Sequence, residues 1–226
     1  MSGLLFDIGA NRGDAVVAGL NFGFGKIVAV EAAPRMYSLL VRNFIYEPKV
    51  IPLRFAIAET NDERVEFYEC VEDGLSSLEK GWLTDPNMPY HGKKFTTIEV
   101  TTCTLDFLIE QYGNPDLVKI DVEGAESQVL AGLTKKPKNL SFEWTINTLD
   151  EHIEQLRRLK EVNGYTEYAL QYITHHLAKP DEYRPLDDPT ELRQWILDTR
   201  DWWMSKGWVE QGALRQTADV GMIWVR

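Results

Sequence analysis

The feature that most constrains the fold is a short apolar run, Leu4 to Ile8. It passes directly into Gly9-Ala10-Asn11-Arg12-Gly13 and then into residues apolar at helical spacing as far as Asn21. So short a run, ending in Gly, predicts a strand buried on both faces. Glycines in the turn permit backbone angles closed to other residues and let a ligand approach the main chain. Strand, glycine turn and helix in this order open a doubly wound α/β sheet, whose ligands bind beyond the carboxyl ends of the strands.

The alternation continues along the chain. Strands are predicted at Ile27 to Val30, Val50 to Ala58, Leu117 to Ile120 and Leu140 to Trp144, and helices at Pro34 to Asn43, Leu105 to Tyr112 and Glu126 to Leu133. Alternating strands and helices predict a mostly parallel sheet with helices on both faces. Glu59 to Thr101 breaks the pattern. Two alternating stretches, Val65 to Cys70 and Thr96 to Val100, flank a loop rich in Gly, Pro and Asn, so a hairpin-like insertion is expected at about 59–101.

Thr148 and Glu151 are spaced as a capping box before a helix closed by Gly164, and Asp188-Pro189 starts a second helix that Gly207 ends. Tyr168 to Ile173 and Gly221 to Val225 complete seven strands, with an acceptor-side insertion at about 174–207. With no repeat, linker or low-complexity stretch, residues 1–226 read as a single domain.

Composition narrows the function classes. The net charge of −11 argues against a broad nucleic-acid surface, which needs clustered Lys and Arg. No apolar run approaches the roughly 20 residues that span a bilayer, and no secretory signal is visible, so a cytoplasmic protein without a membrane partner is expected. Cys70 and Cys103, the only cysteines, are too few for a disulfide framework or a cysteine-based metal site.

Glu31 lies 18 residues beyond Gly13, at the end of the second strand, where its carboxylate can accept hydrogen bonds from both ribose hydroxyls of a nucleoside. Two cofactor classes use such a turn. A dinucleotide sets its pyrophosphate at the helix N-terminus and favours G-x-G-x-x-G, whereas here the run is Gly9, Asn11, Gly13. Asp7, ahead of Gly9, would repel a pyrophosphate but attract the cationic sulfonium and ammonium of S-adenosylmethionine.

These residues carry a family resemblance. Phe6-Asp7-Ile8-Gly9-Ala10-Asn11-Arg12-Gly13, Val30-Glu31-Ala32-Ala33-Pro34, Ser76-Ser77-Leu78, Thr104-Leu105-Asp106 and Val118-Lys119-Ile120-Asp121-Val122-Glu123-Gly124-Ala125-Glu126 resemble, in order and spacing, the FkbM-type methyltransferases over about residues 4–144. The resemblance implies a class I methyltransferase fold, Rossmann-like, with its last strand antiparallel. It also implies S-adenosyl-L-methionine as methyl donor and commonly a hydroxyl of a sugar or small metabolite as acceptor. By position, Asp7, Gly9 and Asn11 would line the methionine part, with Gly13 closing the turn. Glu31 would hold the ribose, Ala32 with Ala56 and Ile57 would flank the adenine, and Asp121 would stand beside the transferable methyl group. Family members usually carry a helical segment before the first strand that covers the cofactor. Three residues stand there in this chain, so the cover is expected from elsewhere in it or from a partner. Beyond about residue 165 no family pattern is matched.

Methyl transfer to an alcohol needs alignment of three atoms and a group that takes the hydroxyl proton. Asp121, at the tip of the fourth strand, is the first candidate for that base; its alternative role is to bond backbone N–H groups at the next helix start. Glu123 and Glu126 suit the helix dipole there. Lys119, within the strand, reads as the partner of an acid. Glu143 shares the strand-end edge with Asp121, but no third ligand is evident and no metal site is assigned. His175 is a second candidate base, since of the adjacent His175 and His176 only one can face the acceptor. Three rival readings stay open: an N- or carboxyl-methyltransferase, an NAD-dependent oxidoreductase, and a binding module without turnover.

Overall fold

The computed structural model describes residues 3–88, 90–172, 182–205 and 220–226. They form two compact units, the first ending at Leu140 and the second beginning at Ser141, within the span read from sequence as a single domain. His175, His176 and the parts of the expected acceptor-side insertion at 174–181 and 206–207 lie outside the described residues.

The first unit opens with β1 (Leu4–Ile8), α1 (Asp14–Asn21), β2 (Lys26–Val30), α2 (Pro34–Phe44) and β3 (Val50–Leu53). It continues through β4 (Ala56–Ile57), β5 (Arg64–Cys70), α3 (Lys80–Thr84), β6 (Phe95–Cys103), α4 (Leu105–Tyr112), β7 (Leu117–Ile120) and α5 (Glu126–Ala131). Its parallel strands run in the order β7-β1-β2-β3, with Phe6 opposite both Val28 and Val118. Leu5, Phe6, Val28, Val118 and Ile120 are fully buried, as expected for strands covered on both faces. Each such side chain contributes about 1.5–3 kcal/mol by leaving water.

The single strand expected at 50–58 is divided. β3 ends at Leu53 after Pro52, and β4 turns away to pair in parallel with β6 in a second, three-stranded sheet ordered β4-β6-β5. Pro52 lacks a backbone donor, which suits an edge position. β5 and β6 pair antiparallel from Arg64↔Thr101 to Cys70↔Phe95, so the irregular stretch is a hairpin whose long connection holds α3. Trp82 and Leu83 of α3 pack with Tyr68 and Cys70 of β5 in a small core of their own.

The second unit contains β8 (Leu140–Thr145), a 3₁₀ turn (Ile146–Thr148), α6 (Leu149–Asn163), β9 (Glu167–Tyr172), β10 (Arg184–Pro185), α7 (Glu191–Ser205) and β11 (Val220–Val225). Its strands follow the order β10-β9-β11-β8. β11 pairs antiparallel with β9, placing Ile223 opposite Leu170, in agreement with an antiparallel last strand. Leaving the β4-β6-β5 sheet aside, the described residues form eight strands where the sequence pattern gives seven. The additional one is β10, two residues too short to show a period.

The expected capping box does not form. Thr148 occupies the N-cap of α6 without a side-chain cap bond, because its Oγ1 lies 2.9 Å from His152 Nε2 instead. The Thr145 amide donates to that nitrogen at 3.1 Å, and burial pulls His152 down to about 4, so the ring stays neutral as a structural acceptor. Gly164 ends α6 in the left-handed conformation, as its position predicts. Among the described residues no helix is long and apolar enough to cross a membrane.

Candidate active site

The site forms where β1, β2 and β7 end, and it begins with a close approach of backbones. Gly9 has φ +77°, and a Cβ added to it would lie 1.8 Å from the Asp121 carbonyl oxygen. Only Gly allows the turn after β1 to sit this near the turn after β7. The Gly9 and Ala10 amides both donate to the Val30 carbonyl, which ties the same turn to the end of β2. Gly13 caps α1 against α2, where a Cβ would lie 2.1 Å from the Phe44 ring; its role is in helix packing.

Glu31 is buried and held by two amides. Asn11 N donates to one carboxylate oxygen at 2.8 Å and Ala33 N to the other at 2.7 Å. Each oxygen keeps a second lone pair for a ligand hydroxyl. The sequence motif thus places Glu31 and Asn11 together, and the structure adds that the acid itself fixes the turn. Asn11 has φ +50°, and its buried Oδ1 accepts no hydrogen bond from any described residue.

Burial raises the Glu31 carboxyl from its ordinary 4.5 to about 7, against the pull of the Ala33 and Asn11 amides. Glu126 is likewise raised to about 7 by burial, although it accepts the Val122 amide. Between about pH 4.5 and 7 the folded chain therefore holds protons that the unfolded chain has lost. Stability is complete below that window and falls as pH rises through it. The thermal midpoint of the ligand-free protein should decrease from about pH 5 to about pH 8. The decrease should be smaller in Glu31→Gln and Glu126→Gln, and equal slopes in all three proteins would contradict this assignment.

Asp7 precedes the turn as the next-to-last residue of β1. It lies inside β1, fully buried, directly opposite Lys119 of β7 in the parallel register. The Lys119 ammonium sits 3.4 Å from Asp7 Oδ1 and 3.0 Å from Asp121 Oδ2, linking the acid ahead of the glycine turn to the candidate base. Burial pulls the Lys119 ammonium down, but the Asp121 and Asp7 carboxylates more than offset this and leave it above its usual range. Neither Asp7 oxygen receives a hydrogen bond from the described residues. The apolar-strand pattern conceals this buried cation; the sole clue is a Lys inside a four-residue strand.

Beyond Asp121 the chain turns through Glu123, which has φ +58°. The Trp82 indole N–H donates to its carboxylate at 3.1 Å. Burial, and next the Asp121 charge, push the Glu123 carboxyl well above its ordinary range. Asp121 and Glu123 each bring a carboxylate oxygen within 4.8 Å of the other.

Of the adenine-flanking set implied by the resemblance, Ala32 and Ala56 belong to one packed cluster. Ala32 lines a small cleft with Pro34 and Arg54, facing Arg64, Glu99 and Val100. Ala56 and Ile57 are 4% and 3% exposed; Ala56 packs with Ala33, Met36 and Phe67 in a cluster that Ala32 also joins, while Arg54 lines the cleft beside Ala32.

Residues 7–198 match the family model described as the methyltransferase FkbM domain, which extends the likeness well past residue 165. No curated protein matches the chain by sequence. Among solved structures, precorrin-6y C5,15-methyltransferase from Geobacter metallireducens shares 13% identity at a TM-score of 0.47, covering 100% of this chain and 80% of that one. Precorrin 8w decarboxylase from Methanobacterium thermoautotrophicum shares 12% at 0.45, covering 100% and 82%. Aeropyrum pernix fibrillarin, solved with natively bound S-adenosyl-L-methionine, shares 11% at 0.45, covering 100% and 66%.

Proposed function

This chain belongs to the FkbM methyltransferase family, and on that premise we propose that it transfers a methyl group from S-adenosyl-L-methionine to a hydroxyl of a sugar or other small metabolite. The observation that carries the cofactor reading is the Glu31 carboxylate, fixed by the Asn11 and Ala33 amides with acceptor capacity left for a ribose diol. Beside it are the unsatisfied Asn11 Oδ1 and the buried Asp7, both suited to an ammonium group. No pyrophosphate-binding glycine pattern competes with this donor set.

When bound, S-adenosyl-L-methionine supplies a methyl group on a positively charged sulfur, already activated for displacement. The protein's own part is alignment and proton removal. Glu31 accepts from the ribose hydroxyls and sets the ligand's position along the strand ends. Asp121 orients the acceptor hydroxyl and takes its proton, while Lys119 holds that carboxylate at 3.0 Å and restricts its rotation. The net charge of −11 favours a small acceptor over a nucleic acid.

Calorimetry with S-adenosylmethionine, S-adenosylhomocysteine and NADH tests the cofactor; binding of NADH alone would refute it. Incubating the protein and S-adenosylmethionine with panels of sugars, amines and carboxylic acids, then scoring a gain of one methyl by mass spectrometry, tests the acceptor class. Methylated amines or acids in place of hydroxyls would replace the O-methylation reading. With the acceptor found, Asp121→Asn should lower kcat by about 10²–10⁴-fold, the range for a lost general base. S-adenosylhomocysteine affinity should stay within about threefold, because Asp121 acts on the acceptor side. Undiminished turnover would remove Asp121 from the base role.

A further inference from the structure

The β5–β6 hairpin is built over the site. Its connection touches the turns after all three strands that make the cofactor site, each through a different residue. At β1, a Cβ on Gly74 would stand 3.3 Å from Asn11 Nδ2, so the loop runs against the residue whose Oδ1 is left unsatisfied. At β2, Arg35 in the first turn of α2 pairs with Asp73 at 2.7 Å and donates to the Val71 carbonyl at 3.2 Å. At β7, the Trp82 indole donates to Glu123, and its ring lies so close to bare backbone that a Cβ on Gly124 would be 2.6 Å away. A fourth contact, Gln128 to Glu79 at 2.5 Å, ties the same connection to α5.

The connection is no loose loop. Trp82 and Leu83 are 4% and 1% exposed in a core shared with Tyr68 and Cys70, and the Tyr68 and Phe95 rings meet edge to face at 5.6 Å. Nor is the β7 contact neutral for the site. Glu123 holds a left-handed backbone that a residue with a Cβ rarely adopts, and the indole bond keeps its carboxylate beside Asp121.

We propose that Arg35 and Trp82 are positioning residues that hold the β5–β6 hairpin across the ends of β1, β2 and β7 as the roof of the cofactor site. The inference rests on the cofactor reading above and assigns the cover to this chain's own hairpin. Arg35 acts through Asp73 on the span beside Asn11; Trp82 acts through Glu123 on the acceptor side. Ligand binding at Glu31 and Asn11 then stabilises the hairpin, and loosening the hairpin weakens the ligand.

The test uses the full chain with S-adenosylhomocysteine as probe. Asp73→Arg and Arg35→Asp should each raise its Kd by about three- to fivefold, the effect of turning an exposed ion pair into a repulsive one. The double exchange should return Kd to within about twofold of wild type, a rescue that general destabilisation would not produce. Hydrogen exchange read by mass spectrometry should show residues 71–84 slowed by the probe together with 9–13 and 31–35. In Trp82→Phe, which keeps a ring but loses the donor to Glu123, the slowing of 79–84 should shrink. Protection confined to 9–13 and 31–35, or single exchanges that bind as tightly as wild type, would overturn the roof while leaving the cofactor reading intact. If wild type bound no probe at all, the cofactor reading would fall and the roof with it.

Discussion

Glu31→Ala is expected to weaken S-adenosylhomocysteine binding by about a hundredfold or more, the largest single loss at the site. Two ribose hydroxyls donating to a buried carboxylate are each worth about 1.5–3 kcal/mol, and every 1.4 kcal/mol is tenfold. The substitution also strips the Asn11 and Ala33 amides of their acceptor, so the turn after β1 loses its tie to β2 before any ligand arrives. Glu31→Gln keeps one carbonyl acceptor and should lose about tenfold, since a neutral acceptor is roughly half as strong as a charged one. pH provides a second check. Because burial raises this carboxyl to about 7, wild-type affinity should climb as pH rises through that value and ionises the acceptor. In Glu31→Gln the climb should be absent. Equal affinities for the three proteins in calorimetry would remove Glu31 from the cofactor site.

Gly9→Ala is the second large effect, and it is expected in stability before activity. The added Cβ would meet the Asp121 carbonyl oxygen at 1.8 Å and its carbon at 2.8 Å. Both are backbone atoms, so no side-chain rotation relieves the contact. The left-handed φ costs a residue with a Cβ about 1–2 kcal/mol, and the overlap adds to it. A loss above about 3 kcal/mol in urea unfolding is therefore expected. Gly23→Ala is the matched control: φ is +86°, but nothing lies within 4 Å, so only the backbone cost applies. If the two variants lost the same stability, the contact between the turns after β1 and β7 would not be the reason for Gly9.

How much of the site is legible in sequence depends on whether its partners are near along the chain or along the sheet. Gly9, Asn11, Glu31 and Asp121 follow from strand ends, which apolar runs reveal directly. The Asp7–Lys119 pair does not, because it depends on β1 and β7 lying side by side in one register, 112 residues apart. Nor does the hairpin over the site: its anchors Arg35, Trp82 and Gln128 sit in three separate helices, and no period links them. Ala56 and Ile57 were expected at the adenine by position. The chain leaves the main sheet after Leu53, and that exit, invisible in the apolar pattern, seats them in the hairpin's sheet, where Ala56 joins the cluster that Ala32 packs against. Thr148 shows a local rule losing to a tertiary one, since the buried His152 ring offers its hydroxyl a better-placed partner than the helix amides do.

The short apolar run that ends at Gly9 determined, by itself, a buried strand, a tight glycine turn and the sheet class built around them. Local steric rules and hydrophobic periodicity act within a few residues, and they suffice for that. What surrounds the turn was decided only by tertiary structure. The cation that holds Asp7 and Asp121 comes from the register of a neighbouring strand. The cover comes from a hairpin whose contacts span 11 to 128 in the chain. Ion pairs and close packing are set by distance in space, and the sequence carries no period from which that distance can be read.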